Sequence, residues 1–275
     1  ERGESFYNPL LPKVVEELTT ANLIEESDGA KCIFTKVSEA PLIIQKADGG
    51  YGYDSTDCAA VLQRLRDERA DRIVYVIDNG QESHMRMVFE AAERADWVKG
   101  GRLDFMGFGL VQGEDGKKFK TRSGDVVRLK DLLDEAASRA EVELRKRAGE
   151  DKELSDDDDL ELRSAAERIG IAAVKYFDLR QNRNSDYRFT YDAMLDPKGN
   201  TAVYVLYAYA RMSAILRKSG RDVADVDVGA LKLGHATERA LAVRLLRFPE
   251  ILGQVQEDLL PNRLVDYIYN VASDF

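Results

Sequence analysis

The segment Gly113–Leu129, GEDGKKFKTRSGDVVRL, carries Lys117, Lys118, Lys120, Arg122 and Arg128, set against Asp125 once its basic part begins. Gly113, Gly116 and Gly124 break any helix, and no apolar periodicity runs through its first half. A glycine-hinged loop loaded with cations can grip a polyphosphate as its charge moves. It can equally be a solvated basic loop. A second group lies upstream, where Tyr53, Asp57 and Gln81 offer an aromatic ring, a carboxylate and an amide. These suit a planar cation, through bidentate acceptance by the carboxylate, a further carbonyl and a flanking ring. Spacing alone favours a plainer account, with Asp57 a charge at a helix N-terminus, Tyr53 a core aromatic and Gln81 a surface residue. His84 carries less weight, because a lone His on the first turn of a helix is more often structural. With no second His nearby and no Cys cluster, no metal site is expected. Tyr204, Tyr207, Tyr209 and Arg211 fall on one helical segment, where tyrosines and an arginine can stack on bases and touch phosphates. At i, i+3, Tyr204 and Tyr207 share a face, and the wall of a helical core is the commoner use of that pattern.

These residues need elements to hold them. Pro9–Leu23 has the periodicity of an amphipathic helix, with Leu10, Leu11, Val14, Val15, Leu18 and Leu23 on one side. Lys31–Phe34 and Leu42–Gln45 predict short strands, and Asp48-Gly49-Gly50 a turn. Ser55 or Thr56 can cap a helix over Asp57–Asp67. Ile73–Ile77 (IVYVI) has the length and composition of a buried parallel strand. A helix follows from about Gln81 to Ala95, with Met85, Val88, Phe89 and Ala92 as its core stripe, and then a strand over Leu103–Val111. Strand, turn, helix, strand, loop is the order of an α/β nucleotide fold, whose ligands sit beyond the carboxyl ends of the strands. Tyr53, Asp57, Gln81, His84 and the lysine loop all follow strands and so could face one crevice.

Beyond Leu129 the pattern is helical: Leu129–Ala148, Leu160–Phe177, Thr201–Arg217, Leu241–Leu252 with an interruption at Pro249, and Leu264–Ala272. The acidic run Glu150–Glu161 reads as a solvated loop that caps the next helix through Ser155 or Asp156, with a partner site as the rarer use. The fold class is therefore α/β followed by all-α.

Composition sets the limits. At 275 residues and 44% apolar content the chain can hold one large domain or two ordinary ones. A formal charge of −10 excludes a generic nucleic-acid binder, though local patches are basic. Cys32 and Cys58 lack paired spacing, which argues against a disulfide framework or zinc site and fits a reducing compartment. No apolar run approaches the ~18 residues of a membrane span. The opening ERGESFYNPLL lacks an initiator Met and runs straight into a helical pattern, which reads as a fragment.

Several pieces, in order, resemble the arginyl-tRNA synthetases of class I, closest to the eukaryotic cytoplasmic branch. They are Gly3–Tyr7 (GESFY), Ala47–Asp57 (ADGGYGYDSTD), Val76–His84 (VIDNGQESH), Gly107–Leu129, Asp186–Met212 and Leu246–Leu252 (LRFPEIL). The resemblance implies the carboxyl-terminal half of a Rossmann-like class I catalytic domain over residues 1–135, a helical connector over 136–185 and a helical anticodon-binding domain over 186–275. It implies that Tyr53, Asp57 and Gln81 bind L-arginine, with Asp57 meeting the guanidinium. Lys117–Ser123 takes the place of the KMSKS loop without its spelling, and Lys118 and Lys120 are implied jointly as the cations beside the leaving pyrophosphate. Asn200–Ala214 matches a tRNA-contacting segment, which implicates Asn200, Tyr204, Tyr207 and Arg211.

The implied reaction is ATP-dependent activation of arginine to arginyl-adenylate and transfer to tRNA(Arg) in the cytoplasm, with Mg²⁺ travelling with ATP. The HIGH signature would lie upstream of GESFY; neither His84 nor His235 sits in such a motif. The expectation is a chain inactive by itself. The alternative from another class is a non-catalytic module that binds arginine or tRNA.

Overall fold

In the computed structural model, which describes residues 1–113, 116, 127–149, 154–220, 222–230 and 232–275, the chain forms two units, Glu1–Phe108 and Gly109–Phe275. The first opens on a 3₁₀ stretch, Glu4–Leu10, that leads into α1 (Leu11–Thr20). Pro12 sits in the first turn of α1, where its missing N–H leaves no bond unmade. Leu11, Val14, Val15 and Leu18 are buried at helical spacing, and Leu23 is buried just beyond the helix end. The strands β1 (Glu25–Ser27), β2 (Ala30–Ile33) and β3 (Leu42–Gln45) form an antiparallel sheet in that order. On β3, Leu42 and Ile44 point into the core and Ile43 points out, the period-2 signature of a sheet covered on one face.

The next helix, α2, spans Tyr53–Arg66 and starts four residues ahead of the expected Asp57. Gly52 is its N-cap; neither Ser55 nor Thr56 caps it. Both hydroxyls have other uses. Ser55 Oγ donates to Ile44 O of β3 at 2.6 Å, and Thr56 Oγ1 reaches Tyr53 O at 3.0 Å, one turn back along the helix. Then β4 (Arg72–Asp78), α3 (Glu82–Arg94) and β5 (Arg102–Phe108) make a βαβ unit with the two strands parallel and in register from Arg72↔Arg102 to Asp78↔Phe108. Met85, Val88, Phe89 and Ala92 are buried, as the periodicity predicts. The IVYVI run is not buried on both faces. Ile73 is buried and Tyr75 packs on Phe89, whereas Val74 and Val76 on the other face are exposed. Helices α2 and α3 pack within one core cluster that takes in Tyr75, so this is the face of the sheet that the helices cover.

The second unit begins with β6 (Val111–Gln112), which pairs in parallel with β7 (Tyr187–Arg188), the strand that interrupts an otherwise helical run. Helix α4 covers Leu129–Ala148, as read from the sequence, and α5 covers Asp156–Leu179. Ser155 is the cap of α5, accepting from Asp158 N at 3.2 Å. The two helices meet through small residues: Ala136 and Ala140 from α4, Ala166, Gly170 and Ala173 from α5, all buried. A β-carbon on Gly170 would lie 2.5 Å from Ala137 N, so this close crossing requires glycine. Phe177, Phe189, Met194 and Ala202 extend that core. Helices α6 (Tyr191–Leu195), α7 (Ala202–Ser219), α8 (Ala236–Leu246), α9 (Phe248–Asp258) and α10 (Asn262–Asp274) complete the unit. The expected interruption near Pro249 is the boundary between α8 and α9, with Pro249 in the first turn of the latter. Among the described residues no helix is long and apolar enough to cross a membrane.

Candidate functional site

The start of α2 is pinned to β3. Ile43 N donates to Asp54 Oδ2 at 2.6 Å and Ser55 Oγ to Ile44 O, so the first helical turn cannot drift along the strand. Positions 53, 54 and 57 then share one side of the helix by the i, i+3, i+4 rule. Across from them, the first turn of α3 supplies His84. Its Nε2 stands 2.7 Å from Asp57 Oδ2, and its Nδ1 lies 3.5 Å from Asp54 Oδ1. The Tyr53 ring meets the imidazole edge-on, with centroids 4.8 Å apart and planes at 64°. Burial grades from floor to rim: the His84 and Asp54 side chains are 13% and 12% exposed, Asp57 is 35% exposed and Tyr53 63%. A carboxylate open on one side, beside an open aromatic ring and over a covered imidazole, can accept a planar cation. Burial raises the Asp54 carboxyl above its ordinary pKa; the Ile43 amide and His84 pull it down and Asp57 pushes it up, with burial the largest of these. Among the described residues no group of His, Cys, Asp and Glu has the arrangement of a metal site.

Gln81 closes the 3₁₀ turn Asn79–Gln81 after β4 and is the N-cap residue of α3, one turn before His84. That turn is set by Asp78, whose Oδ1 accepts from Gly80 N at 2.8 Å. Gln81 is exposed and, among the described residues, makes no hydrogen bond to Tyr53 or Asp57. The structure thus brings Tyr53, Asp57 and His84 together and leaves Gln81 on the adjoining turn. It also adds Asp54, which sequence reasoning passed over. The available signal was a pair of carboxylates at i, i+3 opening one helix and the single histidine opening the next. Lys118 and Lys120 lie outside the described residues.

In the helical unit the four nominated residues divide. Asn200 is a strut: Tyr176 OH of α5 donates to its Oδ1 at 2.6 Å, and its Nδ2 donates to Asp266 of α10 at 3.2 Å. Burial raises the Tyr176 hydroxyl to a pKa of about 12, which keeps it protonated and donating. Tyr204 packs on Tyr269 of α10, with ring centroids 5.4 Å apart. Tyr207 and Arg211, one turn apart on α7, are exposed, as is Tyr209. His235, by contrast, has a purely local use. Its ring accepts from Thr237 N at 3.3 Å, and Glu238 Oε2 accepts from His235 N at 2.8 Å, a capping box that starts α8.

Comparison with known proteins bears on both units. Residues 1–191 match the family described as tRNA synthetases class I (R), catalytic domain, and residues 205–275 match the DALR anticodon binding domain. The whole chain aligns at 50% identity with the chloroplastic/mitochondrial arginine–tRNA ligase of Arabidopsis thaliana, covering 43% of it. It aligns at 52% with the arginine–tRNA ligase of a Nostoc species, covering 48%, and at 47% with the cytoplasmic arginine–tRNA ligase of Arabidopsis thaliana, covering 47%. Organellar, cyanobacterial and cytoplasmic relatives are thus about equally near, and the cytoplasmic branch is not singled out. The chain spans about half the length of the curated relatives it matches. The crystal structure of arginyl-tRNA synthetase from Plasmodium falciparum superposes with a TM-score of 0.88 at 36% identity, over 100% of this chain and 46% of that one. The Thermus thermophilus arginyl-tRNA synthetase, at 20% identity and a TM-score of 0.77 over 97% of this chain and 49% of that one, shares the fold.

Proposed function

Because the chain belongs to the class I arginyl-tRNA synthetase family, joining part of its catalytic domain to a DALR anticodon-binding domain, we propose that it serves the ligation of L-arginine to tRNA(Arg) at the expense of ATP. The observation that carries this reading is Asp57, a partly open carboxylate held from below by His84 and flanked by the exposed Tyr53 ring. The guanidinium of arginine would pair with Asp57 and lie against Tyr53, with Gln81 on the adjoining turn offering its amide. The arginine carboxylate then attacks the α-phosphate of ATP and pyrophosphate leaves; a terminal ribose hydroxyl of the tRNA attacks the carbonyl of the resulting arginyl-adenylate, takes the arginyl group and releases AMP. Such a reaction needs no side-chain nucleophile; alignment of the reactants and cations over the leaving phosphates lower the barrier. Lys118 and Lys120 are the cations we assign to the pyrophosphate side, and Mg²⁺ bound with ATP would neutralise further phosphate charge. To tRNA contact we assign Tyr207 and Arg211, whose side chains are exposed on α7, and the cytoplasm is the compartment we assign.

The test is ATP–pyrophosphate exchange with arginine and tRNA, on the 275-residue chain and on a polypeptide that extends it to the length of its relatives. The longer polypeptide should exchange, and its Asp57→Ala variant should lose arginine-dependent exchange by about 10⁴-fold or more, the cost of a site built for a polar group that finds it unpaired. We expect the 275-residue chain to be silent. Arginine or tRNA binding without exchange by either polypeptide would support a binding module instead.

A further inference from the structure

The contacts of His84 reach beyond what the family match assigns, and the role they give it rests on the reading of Asp57 as the carboxylate that recognises arginine. Both imidazole nitrogens face carboxyl oxygens: Nε2 faces Asp57 Oδ2 at 2.7 Å, and Nδ1 faces Asp54 Oδ1 at 3.5 Å. A ring with one N–H donates in one direction only, and the two contacts differ in length, 2.7 Å against 3.5 Å. The two sides are unequal. Asp54 is buried, its Oδ2 already accepts from Ile43 N, and burial raises its affinity for a proton. Asp57 is the more exposed acid and makes the shorter contact. The contact of hydrogen-bond length is therefore the one at Nε2, and a ring N–H placed there donates to Asp57 Oδ2. That bond occupies one oxygen of Asp57; the other makes no hydrogen bond among the described residues. The edge-on Tyr53 ring fixes the plane of the imidazole from the solvent side.

We propose that His84 is a positioning residue for arginine recognition: its Nε2–H holds Asp57 Oδ2 and fixes the rotamer in which the second carboxylate oxygen is left for the guanidinium. Asp54 faces the other ring nitrogen at 3.5 Å, and the Ile43 amide holds Asp54 in place. The line of support runs from the backbone of β3 to the guest.

Substitutions at His84 separate this role from simple packing. In Gln the amide nitrogen reaches the place of Nε2 and can donate to Asp57; in Asn it reaches only the place of Nδ1. Steady-state exchange kinetics on the same extended polypeptide, with ATP and arginine varied in turn, should show His84→Leu raising the arginine KM by roughly 10- to 100-fold. The ATP KM and kcat should stay within about two-fold of the parent. His84→Gln should recover most of the arginine KM, and His84→Asn should not. Unchanged arginine KM in His84→Leu overturns the proposal, as do equal losses in the Gln and Asn variants or a loss that falls on kcat. If His84→Leu does not fold, as judged by its melting curve, the contrast between Gln and Asn decides alone. Asp57→Asn run alongside separates the arginine site from the support beneath it. If its arginine KM is normal, the arginine site itself is misassigned; if it is impaired while His84→Leu is not, only the positioning role fails.

Discussion

The Asp54 carboxylate accepts the Ile43 amide hydrogen at 2.6 Å, and through that bond the first turn of α2 is fastened to the middle of β3. The bond has two consequences. It puts Asp57 at a defined height above the sheet, and it takes an ionisable group out of water. The first serves the site; the second costs stability, since burial disfavours the charged form.

That cost predicts a pH-dependent effect of Asp54→Asn. The folded chain holds a proton on Asp54 more readily than the unfolded chain, because the folded pKa is raised. The penalty is therefore absent below the ordinary carboxylate range, grows as pH rises through the raised pKa, and is complete above it. Asparagine keeps an acceptor for Ile43 and carries no charge. Its melting temperature should exceed the parent's by about 2–4 °C at neutral pH, and the gap should close on acidification. A variant that melts lower at neutral pH would contradict this account.

The ion pair of Glu17 with Arg66 works in the opposite sense. Arg66 donates to both Glu17 oxygens, at 2.5 and 2.9 Å, and these bonds hold the Glu17 pKa below its usual 4.5. The stabilisation is present above the unfolded pKa and is lost as pH falls through the lowered one. Both groups are partly solvated, so Glu17→Gln should cost no more than about 1 kcal/mol at neutral pH. Melting curves of parent and variant should converge in acid; a difference that persists there would mean the contribution is packing rather than charge.

Gly170 sets how closely α4 and α5 approach. An added β-carbon meets Ala137 backbone atoms at 2.5 Å, and backbone cannot step aside as a side-chain tip can. Gly170→Ala should destabilise the chain by about 1–3 kcal/mol, despite the better helix propensity of alanine. Urea denaturation measures it, and a neutral or stabilising result would show that the helices can separate freely.

On the helical unit the prediction is a contrast. Arg211→Ala and Tyr207→Ala should leave the melting temperature unchanged, because both side chains are exposed. Arg211→Ala should weaken tRNA affinity and lower its salt slope by about one. Asn200→Ala should act through stability instead, since it severs the link from Tyr176 to Asp266. Equal loss of tRNA affinity in a fully stable Asn200→Ala would make Asn200 a contact residue after all.

The sequence made some of this legible and hid the rest for identifiable reasons. Helices with strong apolar periodicity, such as α3 and α4, can be placed from their stripes, because a 3.6-residue repeat sustained over several turns fits little besides a helix. The start of α2 is misplaced because Ser55 and Thr56 look like caps locally, while Ser55 is claimed by Ile44, a residue eleven positions away. Val74 and Val76 look buried because a run of β-branched residues carries no mark of which face is covered. His84 is underrated for the same reason: its significance lies in two carboxylates on another helix, and no spacing rule within α3 points to them.

The pairing of β6 with β7 has a consequence for the order of assembly. Leu110 N donates to Asp186 Oδ1 across 76 positions of chain, and Val111 and Gln112 pair with Tyr187 and Arg188 just beyond. Closing so long a loop from a disordered chain costs on the order of 4 kcal/mol in entropy before any strand bond repays it. The antiparallel pair α4 and α5 spans most of that distance and brings the ends near each other. The clip that leads the chain into its basic segment is thus expected to form late, after the helical hairpin has folded, and to inherit the hairpin's stability.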